Sequence, residues 1–146
     1  MGKTSKKLSS RINKVQKLAG VSWGANTALL RASSIILIYS KAEYCVPVWR
    51  NSCHTTLIDV KLNQTMRIIT GTVRSTTICW LPVLCNIAPP DLRRHDITAK
   101  LLRKTLTVKN SLLYFELLEL PASRHVSRNL VWNDFEVIES LNIRDT

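Results

Sequence analysis

The sequence predicts a mostly α-helical protein, organised as a single helical bundle or array of about five to seven helices. Three observations support this fold class. Apolar residues repeat every three to four positions in several segments, which is the period of one helix face. Glycine and proline are sparse, at four and five of 146 residues, and they fall mainly where those segments end. The hydrophobic fraction of 45% suits one folded domain with a modest core.

The first helix is predicted from about Ser5 to Ala19, where Gly20 is placed to end it. Its apolar positions form one stripe that is expected to face the core: Leu8, Ile12, Val15 and Leu18. Its basic positions cover the other faces: Lys6, Lys7, Arg11, Lys14 and Lys17. The helix is therefore amphipathic, with one side for the core and the rest for solvent or phosphate.

The second helix is predicted to begin at Asn26 or Thr27, both good N-caps, and to reach about Glu43. Residues 35–39 are apolar on every side, which indicates a buried helix. A central strand is the alternative, and the length of the segment favours the helix. Pro47 ends the pattern because it lacks a backbone N–H and clashes with the preceding turn.

A third helix fits Thr55 to Thr70, and Gly71 ends it. Its stripe is expected to face inward and consists of Ile58, Leu62, Thr65 and Ile69. Lys61 and Arg67 fall off that stripe, so we expect both to face outward.

Prolines mark the helices that are predicted in the second half. A short helix holds Trp80 to Asn86, with Pro82 in its first turn. Three more follow: Asp91 to Thr107 after Pro89-Pro90, Leu112 to Leu120 before Pro121, and Asn133 to Leu141. In the first of these three, the residues expected to face inward are Leu92, Ala99, Leu102 and Leu106.

The positive charge lies almost entirely in the first half of the chain. The formal net charge is +11, and residues 1–81 hold 12 Lys/Arg against two acids, whereas residues 82–146 hold nine against eight. A one-sided basic excess concentrates polyanions such as RNA or DNA. The alternative is a solvated basic surface without a dedicated ligand.

The cations of the first helix are the main candidates for phosphate contacts, because they lie off the apolar stripe. These five and two later arginines form the predicted nucleic-acid-binding set: Lys6, Lys7, Arg11, Lys14, Lys17, Arg67 and Arg74. A second, diluted basic face is predicted on residues 91–107, from Arg93, Arg94, Lys100, Arg103 and Lys104. Trp23, Tyr44, Trp49 and Trp80 could stack on bases, but core positions are favoured for the tryptophans.

No pattern of catalytic or cofactor-binding residues is found. The chain has no Asp-Asp pair for a two-metal polymerase centre, no Gly-rich phosphate loop and no Gly-x-Ser-x-Gly elbow. The four cysteines lack the paired spacing of zinc sites, and reduced cysteines that act as small hydrophobes are expected. We therefore predict no enzyme activity for the chain alone, no metal and no cofactor.

An intracellular location, nuclear or cytoplasmic, is predicted because no secretory signal is evident. The basic, Ser-containing N-terminus also fits a mitochondrial presequence, which is the less favoured reading. The most apolar stretch, residues 32–40, is too short to span a bilayer, so no membrane partner is expected.

Several segments, taken in order, resemble a known family. They are residues 18–24 (LAGVSWG), 42–49 (AEYCVPVW), 63–71 (NQTMRIITG), 81–84 (LPVL), 87–90 (IAPP) and 92–94 (LRR). Together they resemble the region that follows the catalytic palm in jockey-type non-LTR retrotransposon reverse transcriptases, which are RNA-directed DNA polymerases. The resemblance covers about residues 8–105 and continues loosely to Arg128.

In that family this region is the helical thumb that grips the template–primer duplex. The resemblance therefore implies a thumb-like helical domain over residues 1–107, with a helical extension over residues 108–146. The family's Tyr/Phe-x-Asp-Asp motif has no counterpart here. The expected partners are RNA or an RNA–DNA duplex, a second copy of the chain, or a palm domain supplied in trans.

Two rival hypotheses stay open. The chain could be a helical protein-interaction or structural module whose basic face is only solvated. It could also be an inert retrotransposon relic that does not fold stably alone.

Overall fold

The computed structural model describes residues 2–20, 24–50, 52–53, 55–108 and 110–119. Within these ranges the chain is mostly helical and contains no strand, which confirms the predicted fold class. The described part forms seven helices when residues 27–42 are counted as one continuous helix. The helix predicted from Asn133 to Leu141 lies outside the described residues.

All but one of the described helices agree closely with the predicted segments; no helix was predicted at residues 46–49, where Pro47 was expected only to end the preceding pattern. Helix α1 is Gly2–Leu18, and α2 joins an α-helical Thr27–Ser34, a π-helical Ile35–Tyr39 and an α-helical Ser40–Ala42. The helices that follow are α3 (Val46–Trp49), α4 (Thr55–Thr70), α5 (Leu81–Cys85), α6 (Pro90–Thr107) and α7 (Leu112–Leu118). A 3-10 turn, Ile78–Trp80, precedes α5.

The described residues group into two compact units. The first takes those of Met1–Cys45 and Ser52–Leu92, and the second takes those of Val46–Asn51 and Arg93–Thr146. In the first unit, α1 packs on α2 and α4, and α4 packs on α5. The domain boundary expected after residue 107 stays a prediction.

The apolar stripe of α1 forms part of the core of the first unit. Leu8, Ile12 and Val15 are fully buried, as predicted. Leu18 was expected beside them but is 46% exposed. At about 100° per residue, Leu18 lies roughly 60° around the helix from Val15, at the edge of the stripe.

Helix α4 buries the stripe that its sequence predicts. Ile58, Leu62, Thr65 and Ile69 are all buried, and Met66 joins them. The hydroxyl of Thr65 donates to the carbonyl of Lys61 at 2.9 Å, so this polar group is satisfied inside the core.

The apolar run of α2 is helical as predicted, but it is not buried on every side. Ile38 and Tyr39 are fully buried, whereas Ile36 is 68% exposed and Leu37 is also exposed. The backbone N–H of Ser40 donates to the carbonyl of Ile35, five residues earlier, which widens the helix. The extra residue lets two neighbours, Ile38 and Tyr39, both reach the core.

The second unit has a smaller core. Ala99, Leu102 and Leu117 are buried together, with Leu106 and Tyr114 packed against them. Leu92 was expected to face inward, but it is 60% exposed. The buried stripe of α6 instead includes three polar residues, namely Arg94, Thr98 and Thr105. These three polar residues lie on a different face of the helix from Leu92.

Candidate nucleic-acid interface

Four lysines of α1 share one exposed face. Lys6, Lys7, Lys14 and Lys17 are all exposed, and they fall within an arc of about 100° around the helix. This lysine face lies opposite the buried stripe of Leu8, Ile12 and Val15. The core therefore fixes the orientation of the helix, and with it the direction in which the four ammonium groups point.

The lysine face has the length of a short run of phosphates. Lys6 and Lys17 are eleven residues apart, which corresponds to about 16 Å along an α-helix. A nucleic-acid strand advances about 3.4 Å per phosphate in a duplex. That figure is the rise along the duplex axis, and the spacing along the strand itself is wider, so a strand that follows α1 would place a few phosphates along this face.

Neutral donors lie between the lysines. A concavity of about 480 Å³ runs along the face, and its lining includes Lys6, Ser9, Ser10, Asn13, Lys14 and Lys17. Ser10 and Asn13 are exposed and can donate to phosphate oxygens. The chain has no acidic residue before Glu43, so no carboxylate of α1 weakens the positive potential.

Arg11 is placed apart from the lysines. It is half-buried, and its Nη1 donates to the backbone carbonyl of Leu37 in the π-helical part of α2. One guanidinium carries five N–H donors, so Arg11 retains others. Its contact ties α1 to α2, which gives this residue a structural role that its sequence position did not indicate.

Arg67 was expected to face outward, but its guanidinium is partly buried. Its Nη2 donates to the carbonyl of Thr76 at 3.1 Å, and its Nε is buried without a hydrogen-bond partner among the described residues. The residue lies off the buried stripe of α4, but the loop after α4 covers it. Burial by a following loop leaves no trace in helical periodicity, so the sequence could not show it.

Arg74 is exposed on that same loop. The N–H of Thr76 donates to the carbonyl of Val73 at 3.1 Å, which closes a turn with Arg74 at its second position. The structure thus gathers the four lysines on one face, engages Arg11 and Arg67 with backbone carbonyls, and leaves Arg74 exposed at a turn.

The second basic face predicted on α6 is much reduced. Arg94 was expected to belong to it, but it is only 5% exposed. Lys100 forms a 2.8 Å ion pair with Asp96, and this hydrogen bond lowers the pKa of the Asp96 carboxyl below its ordinary value. Arg103 and Lys104 remain as exposed cations on α6.

The aromatic residues differ from one another in exposure. Trp80 is 60% exposed, contrary to the core position that was favoured for it. Trp49 is half-buried, and Tyr44 is exposed with the Nζ of Lys41 5.2 Å from its ring centroid. Trp23 lies outside the described residues.

The cysteines are free thiols. Cys45, Cys53 and Cys79 are exposed, so only the buried Cys85 behaves as the small hydrophobe that was expected. Burial raises the pKa of the Cys85 thiol and keeps it protonated. Among the residues that the structure describes, no group of His, Cys, Asp and Glu could hold a metal ion.

The helices of the described ranges include none that is both long enough and apolar enough to cross a bilayer. The reverse-transcriptase resemblance rests on the ordered segments of the sequence and stays a prediction. Comparison with protein-family models, with curated proteins and with solved structures finds no match to this chain.

Proposed function

We propose that this chain binds nucleic acid through the phosphate backbone, without sequence preference, and that it has no catalytic activity of its own. The observation that supports this function best is the lysine face of α1. Four exposed ammonium groups share one side of a helix that the core holds in place, and no acid lies on that helix.

The chemistry of the face suits phosphate better than base edges. Lysine is a compact point charge on a flexible stem, and it lacks the planar fork with which arginine reads guanine. Lys14 and Lys17 are one turn apart and can reach neighbouring phosphates. Release of condensed counterions would drive binding, so affinity should fall steeply with salt.

The resemblance to the post-palm region of jockey-type reverse transcriptases supports the same function. We infer that the chain is a remnant of such a thumb, and its ligand would then be RNA or an RNA–DNA duplex. A palm domain in trans or a second copy of the chain would be a further partner, and a nuclear or cytoplasmic location would suit such ligands.

A matched pair of variants tests the lysine face. Replacing Lys6, Lys14 and Lys17 with Gln removes three charges from α1, and replacing Lys100, Arg103 and Lys104 with Gln removes three from α6. Anisotropy titrations with a labelled RNA–DNA hybrid at two salt concentrations compare them. We expect the α1 variant to bind all sequences more weakly and to lower the salt slope by about two to three.

The control defines what would contradict the proposal. Equal weakening by both variants would mean that net charge, and not the α1 face, attracts the polyanion. Absence of binding by the unmodified chain at low salt would favour the protein-interaction module. That alternative has its own support in exposed apolar residues such as Val48, Leu112 and Phe115.

A further inference from the structure

The segment between α4 and α5 presents an aromatic ring and a cation on a braced loop. Helix α4 ends at Thr70, and Gly71 then adopts a φ of +65°, which only glycine adopts readily. The 73–76 turn carries Arg74, and the 3-10 turn Ile78–Trp80 follows. Trp80 therefore stands at the junction of this loop with α5.

Hydrogen bonds hold the loop in one shape. Arg67, on α4, donates to the carbonyl of Thr76 at 3.1 Å, and the hydroxyls of Thr70 and Thr72 lie 3.0 Å apart. The N–H of Trp80 donates to the carbonyl of Thr77 at 3.2 Å. A braced loop presents its side chains with little loss of entropy on binding.

The exposure of Trp80 indicates that this ring contacts a binding partner. Tryptophan is highly buried on average, yet this ring is 60% exposed, and its neighbours Ile78 and Val83 are exposed as well. Large apolar side chains that are exposed so close together in the chain favour a contact surface in this segment. The question is which partner the surrounding charge selects.

The positive charge of the surrounding segment favours an anionic partner. No acidic residue occurs between Asp59 and Asp91, and the described cations of that stretch are Lys61, Arg67 and Arg74. A planar indole and an exposed arginine in one short segment suit a ligand that carries both flat rings and negative charge. Single-stranded nucleic acid has both, because every base has a π-face and every nucleotide has a phosphate.

We infer that Trp80 and Arg74 form a stacking site for an unpaired base of a single-stranded nucleic acid, with Trp80 under the base and Arg74 on an adjacent phosphate. This inference rests on the proposed function and extends it from phosphate contacts to base stacking. Trp80 follows Arg74 by six positions, so at most about 20 Å lies between their Cα atoms, a span of a few nucleotides.

Two probes separate stacking from charge. One is a short single-stranded oligonucleotide, and the other is an abasic oligonucleotide of the same length, which keeps the phosphates and lacks the rings. The variants are Trp80→Ala, Trp80→Phe and, as the control, Val83→Ala, which truncates an exposed apolar residue of the same segment. Circular dichroism verifies that each variant keeps its helices.

Stacking predicts a specific pattern. Trp80→Ala should weaken binding of the normal oligonucleotide roughly five- to a hundredfold and leave the abasic one unchanged. Trp80→Phe should restore most of the affinity, and Val83→Ala should bind as the unmodified chain does. Tryptophan emission should be quenched by the normal probe, and Trp80→Phe should lose that quenching.

The outcomes distinguish failure of this site from failure of the α1 face. Weakening of both probes by Trp80→Ala, or no weakening of either, overturns the stacking site. If the triple α1 variant still weakens both probes in that case, the proposed function stands without it. A change of oligomeric state in both Trp80→Ala and Val83→Ala, with oligonucleotide binding intact, assigns the surface to self-association and likewise overturns it.

Discussion

At the scale of single residues, Asn86 shows how one backbone conformation closes a helix. It ends α5 with a φ of 50°, in the left-handed region, where only glycine and asparagine fit comfortably. Its carbonyl accepts hydrogen bonds from Nε and Nη2 of Arg31 at 3.1 and 2.7 Å. Arg31 thus holds α2 against the end of α5 and places a cation where a helix C-terminus favours one.

Substitution at Asn86 should depend on backbone preference. Asn86→Ala is expected to lower the free energy of unfolding by about 1 kcal/mol, because alanine avoids a positive φ. Asn86→Gly should be close to neutral, since glycine adopts this conformation freely. Urea unfolding followed by circular dichroism measures both, and an equal loss in the two variants would argue against this reason.

The Cys85 thiol gives a second residue-scale prediction. Burial raises its pKa in the folded chain, so its contribution to stability is present below the unfolded thiol's pKa and declines as pH rises through the folded value. The stability difference between the unmodified chain and Cys85→Ala should therefore shrink from neutral to alkaline pH. Denaturant titrations at both pH values test this, and a constant difference would contradict it.

At the scale of helices, the apolar stripe that the sequence predicts for α1 contains both buried and exposed residues. Ile12 is 1% exposed and Leu18 is 46% exposed, although both belong to the stripe that the sequence predicts. Ile12→Ala should cost about 2–5 kcal/mol of unfolding free energy because it leaves a cavity, and Leu18→Ala should cost less than about 1 kcal/mol. Chemical denaturation of the two variants compares them, and similar losses would mean that α1 is packed differently.

Helix stripes were predictable wherever apolar residues alone define them. The faces of α1 and α4 followed from periodicity, and so did the outward direction of the four lysines. The face of α6 followed only in part: Ala99 and Leu102 are buried as predicted, but the same helix also buries Arg94, Thr98 and Thr105. The threonine hydroxyls of that face bond to carbonyls four residues earlier, at 2.9 and 3.0 Å, which makes their burial tolerable.

The candidate site was predictable only where helix periodicity sets the position of a side chain. Exposed lysines need no tertiary partner, so their positions off the stripe sufficed. The engagement of Arg67 and the exposure of Trp80 both depend on the fold of the loop after α4. Local turn geometry of that kind has no periodic signature in the sequence.

At the scale of the whole molecule, charge opposes folding and favours polyanion binding. The net charge of +11 lies mostly in the first 81 residues, where cations repel one another. Salt screens this repulsion, so the melting temperature of the free chain should rise with ionic strength. A bound oligonucleotide also stabilises the folded state, by about 2.7 kcal/mol at a hundredfold excess over Kd.

These two effects predict that a bound oligonucleotide reverses the direction in which salt changes the melting temperature. Without ligand, added salt should raise the melting temperature; with saturating oligonucleotide at low salt, added salt should lower it, because the ligand dissociates. Thermal melts at low and high salt, with and without the oligonucleotide, measure the four values. A melting temperature that rises with salt in both series would show that the polyanion does not bind the folded chain. The α1 triple Lys→Gln variant should show a weaker reversal, since it reduces both the repulsion and the binding.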